Sequence, residues 1–229
     1  MKILAIDTSG SVAAAAVMDE DKLLAHVYLD DKLTHSQKLM PMVAQMLEDL
    51  SLSPQDMDVF GAVIGPGSFT GLRIGIATVK GMAAAAGKPV TGISTVMSMA
   101  YNFPFYSYDL CPVIDARNAQ VFNGIYHFED AVLTEKTPPR AVPVSDLVQE
   151  ITSPTLVFGD GVYKNKDILQ DNPYIYFAPG HLSMQNGASA AYGMMQKARA
   201  GALFSPSALL PLYLRESQAE QEKERKRVK

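Results

Sequence analysis

The sequence predicts an α/β protein in which one arrangement of strands and helices is used twice. Each half opens with strand-like runs separated by short turn signals. Each half then alternates helix-period and strand-period segments, the pattern of a sheet covered by helices. The aromatic stretch Asn102–Asp109, which contains Pro104, fits neither period and falls near the middle of the chain. We therefore expect two lobes joined there by a hinge.

The first half predicts five strands and three helices. Turn residues at Thr8-Ser9-Gly10 and Asp19-Glu20-Asp21 separate the first three strands, which therefore form antiparallel hairpins. Pro41 lies inside the first helix, so that helix begins near it or kinks there. The predicted strands are Lys2–Asp7, Ser11–Met18, Lys22–Leu29, Val59–Ile64 and Val90–Ile93, and the helices are His35–Leu50, one from the glycine-rich turn to about Ala86, and Thr95–Tyr101.

The second half repeats this order, which suggests a duplicated ribonuclease-H-like arrangement, as found in actin-like ATPases. We expect lobes at 1–101 and 102–215, followed by a charged tail at 216–229 that has no apolar face and receives no role. The predicted strands are Leu110–Asp115, Gln120–His127, Ala131–Thr134, Thr155–Phe158 and Tyr174–Phe177, and the helices are Val144–Ile151, a short one after Gly161, and Met184–Ala200.

Composition narrows the functional classes. Of the 229 residues 48% are apolar, which is enough for a core. The start reaches Asp7 after four apolar residues, so we expect a buried strand there, not a leader or a membrane span. One cysteine, Cys111, cannot form an internal disulfide, which favours a cytoplasmic setting. A net charge of −4 argues against binding RNA through an overall positive field.

The strongest local motif is Gly65-x-Gly67-x-x-x-Gly71, between a predicted strand and a predicted helix. Such a turn can aim backbone N–H groups at an anion, and glycine equally permits a tight turn with close packing. Leu72 and Arg73 replace the lysine and hydroxyl residue of a P-loop, and no ribose-binding acid follows as a dinucleotide fold requires. The candidate phosphate-binding residues are Asp7, Thr8, Ser9, Gly65, Gly67, Gly71 and Arg73.

No catalytic or metal-binding residue is assigned. The four histidines show no metal-ligand spacing, and no Ser-His-Asp arrangement emerges. His35-Ser36 is interpreted as a helix start. Asp115-Ala116-Arg117 ends a predicted strand and fits a salt-bridged turn as well as a ligand clamp.

The first two long helices carry soft or flat surfaces that fit a partner-binding face as well as a core. Methionines gather in and near the first helix, and glycines interrupt the second. The methionines and glycines are Met40, Met42, Met46 and Met57, then Gly71, Gly75 and Gly81. The candidate partner contacts are Leu39, Met42, Met46, Leu72, Ile76 and Val79.

Taken in order, these motifs resemble the TsaB (YeaZ) family over nearly the whole chain to Arg215. The motifs are Ile3–Ser9, His35-Ser36, Gly65–Gly75, Lys80-Gly81, Asp115-Ala116-Arg117 and Tyr213-Leu214-Arg215, of which the glycine-rich string is highly specific. One departure is Phe122, where the family usually has tyrosine.

The resemblance implies an actin-like, two-lobed paralogue of TsaD, the subunit that transfers threonylcarbamoyl to the tRNA adenosine beside the anticodon. TsaD carries metal-ligating histidines after its corresponding helix and strand, whereas Ile93–Met99 contains none. The resemblance therefore implies a non-catalytic subunit with no cofactor of its own.

The resemblance also implies partners. TsaB proteins pair with TsaD through the first-half helices, TsaE joins the assembly, and tRNA is contacted indirectly; alone, the chain should form a homodimer. ATP or ADP could sit at a subunit junction. The rival hypothesis is an actin-like phosphotransferase or ATPase that uses Asp7 and the glycine turn, with Arg73 or Lys80 neutralising charge. A homodimeric scaffold without TsaD is a third alternative.

Overall fold

A computed structural model describes residues 1–31 and 35–215, and this part of the chain contains ten strands and six α-helices. The predicted tail at 216–229 lies outside the described residues. The strands are β1 (Lys2–Asp7), β2 (Ala13–Asp19), β3 (Lys22–Leu29), β4 (Val59–Gly65), β5 (Val90–Ser94), β6 (Asp109–Asp115), β7 (Gln120–Glu129), β8 (Val132–Pro143), β9 (Thr155–Phe158) and β10 (Ile175–Phe177). The helices are α1 (His35–Asp49), α2 (Phe69–Ala86), α3 (Thr95–Ala100), α4 (Val144–Glu150), α5 (Asp160–Leu169) and α6 (Gly187–Arg199).

The strands form two five-stranded sheets that share one topology. The first sheet has the order β3-β2-β1-β4-β5, and the second has the order β10-β9-β6-β7-β8. In each, the first strand pairs antiparallel with the second and parallel with the fourth, as β1 does with β2 and β4. When the second sheet is read in reverse, as β8-β7-β6-β9-β10, it matches the first sheet strand for strand, with β6 in the place of β1. The predicted duplicated, actin-like arrangement of two lobes is confirmed.

Helices cover both faces of the first sheet because its strands are apolar on both sides. Every residue from Ala13 to Met18 in β2 is buried. Helices α1 and α2 pack on one face through a single apolar cluster. The other face is covered by α6, whose Ala190, Ala191, Met194 and Met195 contact side chains such as Ile3. None of the helices in the described residues is long and apolar enough to cross a membrane.

The second sheet is covered by α3 on one face and by α4 and α5 on the other. Helix α6 thus follows the second sheet along the chain but packs on the first. A boundary between residues 101 and 102 separates the strands of the two sheets but does not separate the helices that cover them. The division into lobes at that point stays a prediction.

The largest difference from the predicted elements is β8, which extends to Pro143 where a strand ending at Thr134 was expected. Pro138 and Pro139 lie inside it, although proline cannot donate a backbone hydrogen bond to a neighbouring strand. They are tolerated because β8 is an edge strand, and its pairing with β7 is irregular near Ile125.

Candidate functional site

The predicted phosphate loop and the turn after β1 lie against each other. Strands β1 and β4 are parallel neighbours, so their carboxyl ends meet at one edge of the sheet. The backbone N–H of Ser68 donates to the Ser9 carbonyl oxygen at 2.7 Å, and the Thr8 hydroxyl donates to the Gly71 carbonyl oxygen at 2.7 Å. The structure therefore brings the two predicted motifs into direct contact.

This contact requires glycine. A Cβ atom on Gly67 would lie 2.2 Å from the Ser9 carbonyl oxygen, and one on Gly71 would lie 2.1 Å from the Thr8 carbonyl oxygen. The N–H of Gly71 is already bound to the Ser68 hydroxyl, which caps α2. The glycines thus serve a close approach of backbone to backbone. This geometry supports the alternative of a tightly packed turn, and phosphate binding by these residues stays a prediction.

Asp7 is the buried acid at the centre of this contact. Its side chain has no solvent exposure. Its Oδ1 accepts hydrogen bonds from the Ser9 N–H at 2.9 Å and from the Ser9 hydroxyl at 2.6 Å, whereas Oδ2 has no partner among the described residues. Burial raises the pKa of Asp7, and the Ser9 hydrogen bonds and the charge of His35 only partly oppose it. His35 itself hydrogen-bonds the Gly10 carbonyl oxygen through Nε2 at 2.9 Å.

Arg73, another candidate phosphate ligand, extends toward the C-terminal segment. Its Nε donates to the Tyr213 hydroxyl at 3.0 Å, and its guanidinium carbon lies 3.9 Å from the centre of the Phe69 ring. Phe69 and Tyr213 stack with ring centres 4.5 Å apart. Gly65 is covered by the same segment, since its Cβ would lie 2.6 Å from the Leu212 carbonyl oxygen.

The side chains of the predicted partner contacts point into the core. All six side chains are at most 8% exposed and belong to the apolar cluster between α1, α2 and the first sheet. They are Leu39, Met42, Met46, Leu72, Ile76 and Val79. A helix with one strongly apolar face turns that face to its own sheet, so only a small part of each of these side chains is accessible to a partner.

The outward faces of the two helices carry different residues. On α2 most of the exposed positions lie along one stripe of small residues that includes a single charge. On α1, Met40 is 47% exposed, and Pro41 and Ala44 are exposed as well. The stripe on α2 consists of Thr70, Arg73, Ala77, Gly81 and Ala84. The predicted contacts were chosen for their hydrophobicity, which selected core residues. The sequence feature that could have identified the exposed face is the series of small residues between the apolar positions of α2.

The turn after β6 occupies the equivalent place in the second sheet and is open. Asp115 accepts the N–H of Arg117 at 2.9 Å and an ion pair from Lys164. Partial burial raises its pKa, but the Lys164 hydrogen bond, the Arg117 N–H and the two positive charges outweigh it, so the pKa lies below its ordinary value. Arg117, Asn118 and Ala119 all have left-handed φ angles of 62°, 53° and 56°. The alternative of a salt-bridged turn is thereby supported.

No group of three or more histidine, cysteine, aspartate or glutamate side chains in residues 1–31 and 35–215 is arranged to hold a metal ion. The thiol of Cys111 is fully buried, and burial raises its pKa to about 12.

Two sheets of one topology, with a glycine turn packed on the first strand of each, define an actin-like protein built from two ribonuclease-H-like units. Residues 22–157 match the model of the TsaD family, described as tRNA N6-adenosine threonylcarbamoyltransferase. The chain is 30% identical to the tRNA threonylcarbamoyladenosine biosynthesis protein TsaB of Bacillus subtilis over 223 residues, which cover 96% of each chain. It is 33% identical to TsaB of Escherichia coli over 171 residues, which cover 70% of this chain and 72% of that one.

The chain belongs to the TsaB (YeaZ) family. Among solved structures it is similar to YeaZ from Pseudomonas aeruginosa, with a TM-score of 0.78 and 24% identity over 93% of this chain and 99% of that chain. A second P. aeruginosa structure, described as an uncharacterized protein with similarity to peptidase YeaZ, gives a TM-score of 0.81 at 24% identity, over 93% of this chain and 99% of that chain. These structures support the fold.

Proposed function

We propose that this chain is a non-catalytic subunit that binds and supports TsaD in the threonylcarbamoyladenosine modification of the tRNA adenosine next to the anticodon. The observation that carries the proposal is its relationship to TsaB over 96% of both chains. The match of residues 22–157 to the TsaD model adds that the chain shares ancestry with the transferase it would assist.

The non-catalytic role is supported by the packing of the glycine turn. The rival enzyme hypothesis uses Asp7 and the glycine turn together, so it needs room for a phosphate group between the two turns. Here backbone from Thr8 and Ser9 lies against Gly67 and Gly71, leaving no space for even one added carbon atom at either glycine. An ATPase or phosphotransferase would have to open this contact before it could bind a nucleotide between the two turns.

The partner surface that we propose for TsaD is the outward face of α1 and α2. This face carries exposed small and apolar residues, among them Met40, Ala77 and Gly81. Small side chains let another helix approach closely, and the exposed methionine adapts to its shape. In the absence of TsaD, the same face would pair two copies of this chain.

TsaE would join the assembly, and tRNA would contact this chain only indirectly, through its partners. Any ATP or ADP would lie at the junction with a partner.

The test of the function is reconstitution of tRNA threonylcarbamoylation from TsaD, TsaE and TsaC, the enzyme that makes the threonylcarbamoyl adenylate, with ATP, threonine and bicarbonate. The reaction is run with and without this chain. We expect modification to depend on the chain and ATP turnover by the chain alone to be negligible. Robust ATP turnover by the chain alone, with no effect on tRNA, would favour the rival enzyme.

The test of the surface uses two neighbouring residues of α2 with opposite orientation. Ala77→Glu places a charge on the exposed stripe, so we expect a folded chain with weakened binding to TsaD. Ile76→Glu is the matched control: its side chain is 5% exposed, and a buried unpaired carboxylate should cost several kcal/mol of folding free energy. Thermal unfolding and sedimentation with TsaD measure the two effects. A folded Ala77→Glu variant that binds TsaD as the wild type does would place the interface elsewhere.

A further inference from the structure

The guanidinium of Arg73 is held in place by two neighbouring aromatic side chains. Phe69 lies one helical turn before Arg73 on α2, so the two side chains share a face. The guanidinium stacks on the Phe69 ring at 3.9 Å, and its Nε donates to the hydroxyl of Tyr213 at 3.0 Å. We call this set of three residues, Phe69, Arg73 and Tyr213, the arginine clamp.

Only one of the three guanidinium nitrogens is used by the clamp. Within residues 1–31 and 35–215, the Nη1 and Nη2 atoms of Arg73 form no hydrogen bond, and no carboxylate forms an ion pair with the side chain. The exposed arginine Arg199, by comparison, is paired with both Glu20 and Asp21. With respect to this described part of the chain, Arg73 therefore presents a fixed pair of N–H donors outward, at little further cost in side-chain entropy.

The surroundings of Arg73 determine which ligand these donors fit. Its neighbours on the exposed stripe are Thr70, Ala77 and Gly81, so Arg73 is the sole charge on that stripe. A phosphate site normally adds further cations or free backbone N–H groups, and the nearby N–H of Gly71 is already taken by Ser68. A planar carboxylate matches the two parallel donors of one guanidinium, and arginine is enriched among the residues that dominate interface energy.

We propose that the arginine clamp is the specificity element of the partner surface and that it binds a carboxylate side chain on a helix of the partner. The proposal rests on the proposed function, in which that partner is TsaD, and adds the chemistry by which the surface recognises it. The small residues around Arg73 let the partner helix come close enough to exclude water from the ion pair, which strengthens it.

The experiment is calorimetric titration of TsaD into the full chain and its variants at two salt concentrations. We expect Arg73→Gln to weaken binding about tenfold or more and to reduce the salt dependence. Arg73→Lys should weaken binding nearly as much, because lysine keeps the charge but lacks the paired donors. Tyr213→Phe keeps the ring stack and removes one hydrogen bond, so we expect a loss of about threefold. Arg199→Gln is the matched control and should bind within about twofold of the wild type.

The outcomes separate the two proposals. If the wild-type chain does not bind TsaD, the proposed function fails and the clamp proposal fails with it. If the wild type binds and folded Arg73→Gln binds equally well, only the clamp proposal is overturned. Full affinity in Arg73→Lys would show that a point charge suffices, and that too would overturn it. Unchanged TsaD affinity with loss of tRNA or nucleotide from the assembly would make Arg73 a phosphate contact instead.

Discussion

The glycine turns of the two sheets hold the same place in the topology but contact different parts of the neighbouring strand. In the first sheet, Gly67 and Gly71 press on the carbonyl oxygens of Ser9 and Thr8, beyond the end of β1. In the second sheet, Gly159 would place a Cβ 2.2 Å from the carbonyl oxygen of Val113, which lies inside β6. The first glycine turn therefore contacts residues that follow the end of β1, whereas the second contacts a residue that precedes the end of β6.

The turn after β1 is covered by its glycine turn, whereas the turn after β6 is exposed. Asp7 is covered, and burial raises its pKa. Asp115, which ends β6 as Asp7 ends β1, stays accessible to Lys164, and its pKa is lowered. A duplicated topology thus does not fix the chemistry of equivalent residues. Burial dominates the pKa of Asp7, whereas at Asp115 the contacts with Lys164 and Arg117 outweigh it.

The largest expected effect comes from filling the closed contact. Gly71→Ala puts a Cβ 2.1 Å from the backbone oxygen of Thr8, so backbone must move, and we expect a loss of about 3 kcal/mol. Gly161→Ala meets first a Val113 methyl group, at 2.8 Å, and should cost less. Gly81→Ala, with nothing within 4 Å of its Cβ, is the control and should gain about 0.5 to 1 kcal/mol. Urea unfolding measures all three, and equal losses for Gly71 and Gly161 would erase the comparison.

The second prediction is an opposite pH dependence for the two aspartates. Because the folded pKa of Asp7 is raised, the folded chain holds its proton more tightly than the unfolded chain does. Stability should therefore fall as pH rises from the unfolded value of about 3.9 to the higher folded pKa. The lowered pKa of Asp115 gives a contribution that is present above about pH 3.9 and is lost as pH falls through the folded value.

Urea midpoints across about pH 3 to 8 for the wild type, Asp7→Asn and Asp115→Asn separate the two contributions. Relative to the wild type, Asp7→Asn should become more favourable as pH rises, and Asp115→Asn less favourable, by up to about 1 kcal/mol for the partly exposed Asp115. Parallel curves for the two variants would contradict the assignment of one closed and one open turn.

The smallest expected effect concerns backbone strain in the open turn. Ala119 has a φ of 56°, where a Cβ is unfavourable, so Ala119→Gly should stabilise the chain by about 0.5 to 1 kcal/mol. Ser11 is exposed in the other turn and lacks a left-handed φ, so Ser11→Gly should destabilise it by a similar amount. Thermal unfolding of both variants checks the sign, and a loss in Ala119→Gly would show that the turn is unstrained.

Most elements of the fold could be predicted from the sequence because their signals are local. The bounds of β1, β3 and β9 match the predicted strands, since each is a short apolar or alternating run between turn residues. The extent of β8 could not be predicted, because prolines are allowed there only by its position at the sheet edge. The packing of α6 on the first sheet could not be predicted either, since an apolar helix face does not specify which sheet it covers.

By itself the sequence determined the duplicated α/β order, the glycine turn and the resemblance to the TsaB family, because periodicity, turn residues and motif order are written along the chain. Only the tertiary structure decided that Ile76 is core and Ala77 is surface, and that Arg73 stacks on Phe69 and bonds Tyr213. The physical reason is that an apolar or glycine position signals close contact with something. Whether that contact is the chain's own backbone, a ligand or a partner depends on residues that are distant in sequence.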